Sequence, residues 1–291
     1  MDYENEEQSL EPVEGKLSPK SRRTYPWAMP VVAALFVIVA FLSWWGTWFG
    51  RTLSDSQMKE YLHDTEKPRH AQHAVEQIVK RITEHDPSVS RWYPDVAALA
   101  QHPAPQVRSA AAWAMQYDPG YDGFHKALLG MLQDTDASAR HQAALSLVPF
   151  GDASGRAELI EMLKPHTLRA EASGRATVLV KEGAAVAAGS AIARIKQNDG
   201  QTIEIRASES GRVERSSFPE EGEVAAGGEL ITLSPEIAQV ENVFVALGYV
   251  GQPEDIPYIQ PYTREIPGMP DRVRKQAALV ADDIRNRSGA R

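Results

Sequence analysis

The chain has no cysteine among its 291 residues. That excludes a disulfide framework, a thiolate zinc site and a thiol nucleophile, and it leaves the redox compartment open. It also lacks a surplus of positive charge. Lys and Arg number 31 against 39 Asp and Glu, for a net charge of -8, which argues against a general nucleic-acid binder. No Walker pattern and no Gly-x-Gly-x-x-Gly occurs, so the glycine-rich pieces do not read as phosphate loops. No nucleophile-elbow motif is present either, and Ser, His and Asp occur only as loose composition.

What the chain does have begins with one apolar run. From Thr24 to Gly50 no charged residue appears, and Val31 to Leu42 is uninterrupted apolar sequence. About 20 apolar residues span a bilayer. Trp27 stands at one end and Trp44, Trp45 and Trp48 at the other, as an interfacial aromatic belt does. The run predicts one uncleaved transmembrane helix over 24–50. Lys16, Lys20, Arg22 and Arg23 precede it closely, which places the N-terminus in the cytoplasm and everything after Arg51 outside the inner membrane. Residues 1–23 are polar and acidic and read as a disordered tail.

Beyond the run, apolar residues recur at helical spacing. Val107-Arg108-Ser109-Ala110-Ala111 and Ala139-Arg140-His141-Gln142-Ala143 open two helices one repeat period apart, each followed by a second helix. Near the C-terminus the same frame returns at Val240 to Gly248, and one further period on at Val273-Arg274-Lys275-Gln276-Ala277. Paired helices at this period, with Ala at the contacts, predict an α-solenoid. The Val-Arg-x-x-Ala-Ala pattern resembles short bacterial HEAT-like repeats, over about half the chain. Arg108, Arg140 and Arg274 share one position of the repeat. They read as bonds to neighbouring turns, with an anion-binding groove as the alternative.

Between Ala139 and Val240 the repeat is interrupted. Ser173-Gly174-Arg175, Glu182-Gly183 and Val186-Ala187-Ala188-Gly189 are copied as Ser210-Gly211-Arg212, Glu221-Gly222 and Val224-Ala225-Ala226-Gly227. Short alternating runs and glycine turns predict a small β-domain over 166–234. Its length matches the excess that separates the flanking helices from the repeat frame. It therefore reads as an insertion between two repeats, with beads on a string as the alternative. The duplicated half resembles lipoyl and biotinyl carrier domains, and, unmodified, the barrel-sandwich module of periplasmic adaptor (membrane-fusion) proteins. The resemblance implies an acylated lysine at the tip of one hairpin. Here that hairpin reads Lys196-Gln197-Asn198-Asp199-Gly200-Gln201, which puts Gly200 at the lysine position and leaves Lys196 misplaced at the start of the hairpin. A Met-Lys-Met biotin acceptor is absent too, so no cofactor is expected.

The fold expected is thus α+β and multidomain: tail 1–23, single transmembrane helix 24–50, HEAT-like solenoid 51–165, inserted all-β lipoyl-like barrel-sandwich domain 166–234, and solenoid again over 235–291. No residue is assigned to catalysis or to a metal. His70, His73 and Glu76 lie along one helix face and read as polar surface rather than zinc ligands, which prefer a spacing of four. His125 and His141 read as ordinary packing or capping residues, and Asp134 and Asp136 as helix N-caps. The function expected is a non-enzymatic membrane-anchored scaffold. Its partners are proteins of a membrane or periplasmic complex, and the lipid bilayer through 24–50. An accessory subunit of an export or efflux system and a carrier-type enzyme subunit are the alternatives.

Overall fold

The computed structural model describes residue 31 and residues 34–41, 52–218, 220–266 and 268–289. Two compact units divide at Thr52. In the first, residues 34–41 are helical and exposed. Among the described residues no helix is long and apolar enough to cross a membrane. This overturns the expected transmembrane helix over 24–50, and with it the single-pass inner-membrane placement. The rest of that run, the tail 1–23 and the flanking tryptophans lie outside the described residues.

The second unit is a mixture of helices and antiparallel sheet. Its first part holds α1 (Asp55–Leu62), α2 (Pro68–Thr83), α3 (Tyr93–Ala98), α4 (Pro105–Met115), α5 (Asp122–Met131), α6 (Ala137–Ser146) and α7 (Arg156–Glu161). Local chemistry sets several starts. Ser54 and Gln57 form a reciprocal capping box at α1, Pro105 occupies the first turn of α4, and the Asp136 carboxylate accepts from the Ala139 amide at α6. Val107, Ala111, Ala112, Ala114 and Met115 bury one face of α4. Small alanines let α4 and α6 approach closely, around a core that includes Phe124, Leu128 and Leu147. Burying a side chain such as Phe124 contributes about 1.5–3 kcal/mol.

Eight strands follow: β1 (His166–Arg169), β2 (Gly174–Val178), β3 (Ala185–Val186), β4 (Ala191–Lys196), β5 (Thr202–Arg206), β6 (Gly211–Ser216), β7 (Glu221–Val224) and β8 (Glu229–Ser234). They form two four-stranded antiparallel sheets, ordered β1-β8-β6-β3 and β5-β4-β2-β7. Advancing each strand of the first sheet by four positions generates the second. The sequence copy is thus a structural copy, and each half of the domain gives two strands to each sheet. Equivalent bonds lock the halves together. The Ala226 amide donates to Ser173 Oγ (3.0 Å) and the Ala188 amide to Ser210 Oγ (3.1 Å). The Gly227 amide donates to the Ala170 carbonyl and the Gly189 amide to the Ala207 carbonyl, both at 2.7 Å. Ala176, Ile192, Ile195 and Leu230 fill a separate core between the sheets.

After the strands come α8 (Ile237–Val250), α9 (Ile256–Ile259) and α10 (Asp271–Gly289). These helices do not stand apart from the first part. Leu159, Ile160 and Leu163, before the strands, share one core with Val240, Phe244 and Ala277, after them. Polar bonds cross the same gap. Arg156 on α7 grips the Asp255 carboxylate at 2.9 and 2.8 Å, Gln239 donates to the Met162 carbonyl, and the Tyr262 hydroxyl donates to the Leu163 carbonyl at 2.6 Å. The β-domain is therefore looped out of a continuous helical stack.

Candidate interaction site

The repeated arginines are structural. Arg108 donates to the His102 and Pro103 carbonyls and, through Nε and Nη2, to Asp134 at 2.6 and 2.7 Å. Arg140 repeats this one period later, on the Asp134 and Thr135 carbonyls and on Glu158. The Arg108 side-chain bond holds the Asp134 carboxyl below the usual carboxylate range. Arg274 departs from the series and pairs with Asp271 on its own helix. Asp136 caps α6, whereas Asp134 binds Arg108 and accepts from the Asp136 amide.

The histidines do not converge. His70 bonds Asp64 at 2.7 Å and stacks on Tyr61. His73 contacts Gln77 on its own helix, and Glu76 is exposed. His125 bonds Asp152 at 2.6 Å and stacks on Phe150. No group of three or more metal-ligating side chains occurs among the described residues. Gly200 sits at the β4–β5 turn with φ +87°, and its amide donates to the Gln197 carbonyl. The Asp199 side chain accepts from the Gln201 amide. The turn is tight and Gly200 carries no amine.

His141 is different. It is only 8 % exposed, with Nε2 3.6 Å from Glu158 and Nδ1 3.9 Å from Glu209 on the β5–β6 loop. Burial holds its pKa below the ordinary histidine value, while Glu209 and Glu158 pull it upward. Glu158 Oε2 is buried without a hydrogen-bond partner.

A cleft of about 930 Å³ with mostly apolar walls lies between the outer face of the β1-β8-β6-β3 sheet and the segment from α8 to α10. Ala185, Arg212 and Glu214 line one wall; Tyr258, Pro261 and Met269 line the other. Tyr262, on the same wall, is edge-on to Phe244 at 5.4 Å. Burial, with the Glu214 charge adding to it, pushes its phenol up to about 12. Lys164 lies 5.6 Å from the Tyr258 ring centre and bonds Glu161. Arg212 donates to the Gly183 carbonyl and makes no salt bridge among the described residues. Beside it β3, paired only with β6, ends the sheet with an open edge. No sequence motif marks these residues, because the cleft joins positions far apart in the chain. Its one local signal is the pair Pro257 and Pro261, four residues apart on one wall.

Residues 94–176 match the family model of HEAT repeats. The matched stretch takes in α3 to α7 and runs on through β1 into β2, where the chain has left the helical stack. HEAT-like repeats are therefore present in the first helical part, and repeats of this type suit a protein–protein interaction scaffold. No curated protein matches the chain.

Proposed function

We propose that the chain is a non-enzymatic scaffold that holds a partner protein, with the cleft between the β-domain and the C-terminal helices as its docking site. The cleft carries this reading. Its volume and mostly apolar lining suit an extended segment of several residues. The open β3 edge offers backbone pairing for such a segment, and Arg212, without an acid of its own, offers an anchor for a carboxylate on it. In this reading the β-domain is a lipoyl-like barrel-sandwich module that binds rather than carries. Gly200 stands where a carrier requires lysine, which also removes the basis for a carrier enzyme subunit. The export-accessory alternative rested on the membrane span together with the barrel-sandwich module, and it loses the span as support.

A photo-crosslinking residue placed at Tyr258 in the full chain tests the reading. One discrete protein should be captured there, and none from the same residue placed at Lys126 on the exposed face of α5. Capture should fall with Arg212→Glu and with Ala185→Arg. An empty cleft position in cells, or capture indifferent to both substitutions, overturns it.

A further inference from the structure

Two connectors join the β-domain to the helices. One runs through Lys164 and Pro165, the other through Ser234 and Pro235. The pairing of His166 with Leu233 keeps them side by side. Both connectors line the large cleft, and both also line a smaller cavity of about 200 Å³. They are thus the pivot between two openings, so a tilt that widens one narrows the other. Little opposes such a tilt. The main packing is of strands on strands and helices on helices, and the β-domain keeps its own core. Away from the pivot, the ion contact that crosses the seam among the described residues is His141 with Glu209.

The groups around His141 come from every neighbouring element. Arg140 lies on its own helix, Glu158 and Glu161 on α7, and Glu209 on the β5–β6 loop. Lys164, bonded to Glu161, and His166, bonded to Ser208, complete the rim of the small cavity. At 3.6 and 3.9 Å neither carboxylate is hydrogen-bonded to the ring. A charge on His141 would gain weak attraction here and lose its hydration. Glu158 Oε2, already without a partner, likewise gains from the entry of water.

We propose that His141 is a pH-sensitive catch between the helical repeats and the β-domain. Neutral, it stays buried in the seam and the cleft stays wide. Protonated, it takes up water, the seam opens, and the β-domain tilts on its two connectors and narrows the cleft. The closed seam holds the proton less tightly than the open one, so closing is favoured as pH rises and opening as pH falls below the ordinary histidine range. The proposal rests on the docking reading only for what the cleft receives.

The absence of native cysteine makes the test direct. Lys126→Cys and Lys196→Cys place one spin label on an exposed helix face and one on an exposed strand end of the full chain. Their distance distribution should change between about pH 7.5 and about pH 5.5, either side of the ordinary histidine value. His141→Gln should keep the neutral distribution at both values, and His141→Arg should give the acid one at both. Glu209→Gln should move the transition to higher pH, since it removes a carboxylate that steadies the protonated ring in the closed seam and so widens the gap in proton affinity between closed and open. If His141→Arg does not fold, the two glutamine variants decide. A wild-type distribution identical at both pH values, or a shift that survives in His141→Gln, overturns the catch. The labels report tilt with no partner present, so an empty cleft and a rigid seam are separate failures.

Discussion

The bridge from Arg156 to Asp255 ties together two helical parts that the whole β-domain separates in the chain. Asp255 is almost wholly buried, its side chain 6 % exposed, and it accepts two bonds from Arg156 and one from the Gln252 amide at 2.8 Å. Replacing Arg156 with Met strands that carboxylate with a single backbone donor, which should cost about 3–5 kcal/mol. Replacing Asp255 with Ala should cost less, about 2–3 kcal/mol. Arg156 is 21 % exposed and regains water, and Glu254 stands 3.8 Å away to receive it. The double substitution should cost about 2 kcal/mol less than the sum of the single ones, because both remove one interaction. Urea unfolding gives the totals. Amide exchange gives the location: α8 and α10 should lose protection first, while α2 and α4 keep theirs. Equal costs below about 0.5 kcal/mol, or strictly additive ones, would refute the idea that this pair fastens the C-terminal helices to the stack.

Two further outcomes follow from single residues. The Tyr262 hydroxyl donates to the Leu163 carbonyl, and its pKa stands at about 12 against an ordinary 10.0. Its contribution is therefore complete below about pH 10 and is lost as pH rises through about 12, about 2–3 kcal/mol in all. Alkaline unfolding should lose this component in Tyr262→Phe, and an unchanged profile counts against the assignment. A Cβ on Gly174 would lie 2.4 Å from the Lys196 carbonyl oxygen, where β2 meets β4, whereas one on Gly200 meets nothing within 4 Å. Gly174→Ala should cost about 2–4 kcal/mol by loss of packing geometry, and Gly200→Ala only about 1–2 kcal/mol of left-handed strain. Equal thermal unfolding of the two variants would refute this.

Where the sequence repeats itself, the fold was legible. Arg108 and Arg140 stand one repeat apart, and each bonds the carbonyls of the turn that precedes its own helix, so one chemical solution recurs and its spelling shows. Ser173 and Ser210 likewise accept equivalent amide bonds in the two halves of the β-domain. Arg274 has the spelling without the partners, since the turn before α10 differs from those before α4 and α6. The cleft was not legible, because Arg212 and Tyr258 meet only through packing. His141 looked like a core residue and is buried like one, but Glu209 reaches it from a loop of the inserted domain. Hydropathy over 24–50 predicted a spanning helix that the described residues do not contain. A hydropathy run measures transfer to lipid and does not by itself specify one continuous helix.

The interleaving of strands in the β-domain bears on how such a domain can sit within a helical stack. Neither half can complete a sheet alone: in the order β1-β8-β6-β3, the outer strands come from one half and the inner two from the other. A free-standing half would expose the amides that Ser173, Ser210, Ala170 and Ala207 now satisfy, and it would find the missing acceptors only on a second molecule of itself. The two copies therefore stand in one chain as two molecules of a symmetric dimer would. Because the domain's two ends lie side by side where His166 pairs with Leu233, the chain leaves the helical array, builds the whole pair and rejoins the array with the core on either side unbroken.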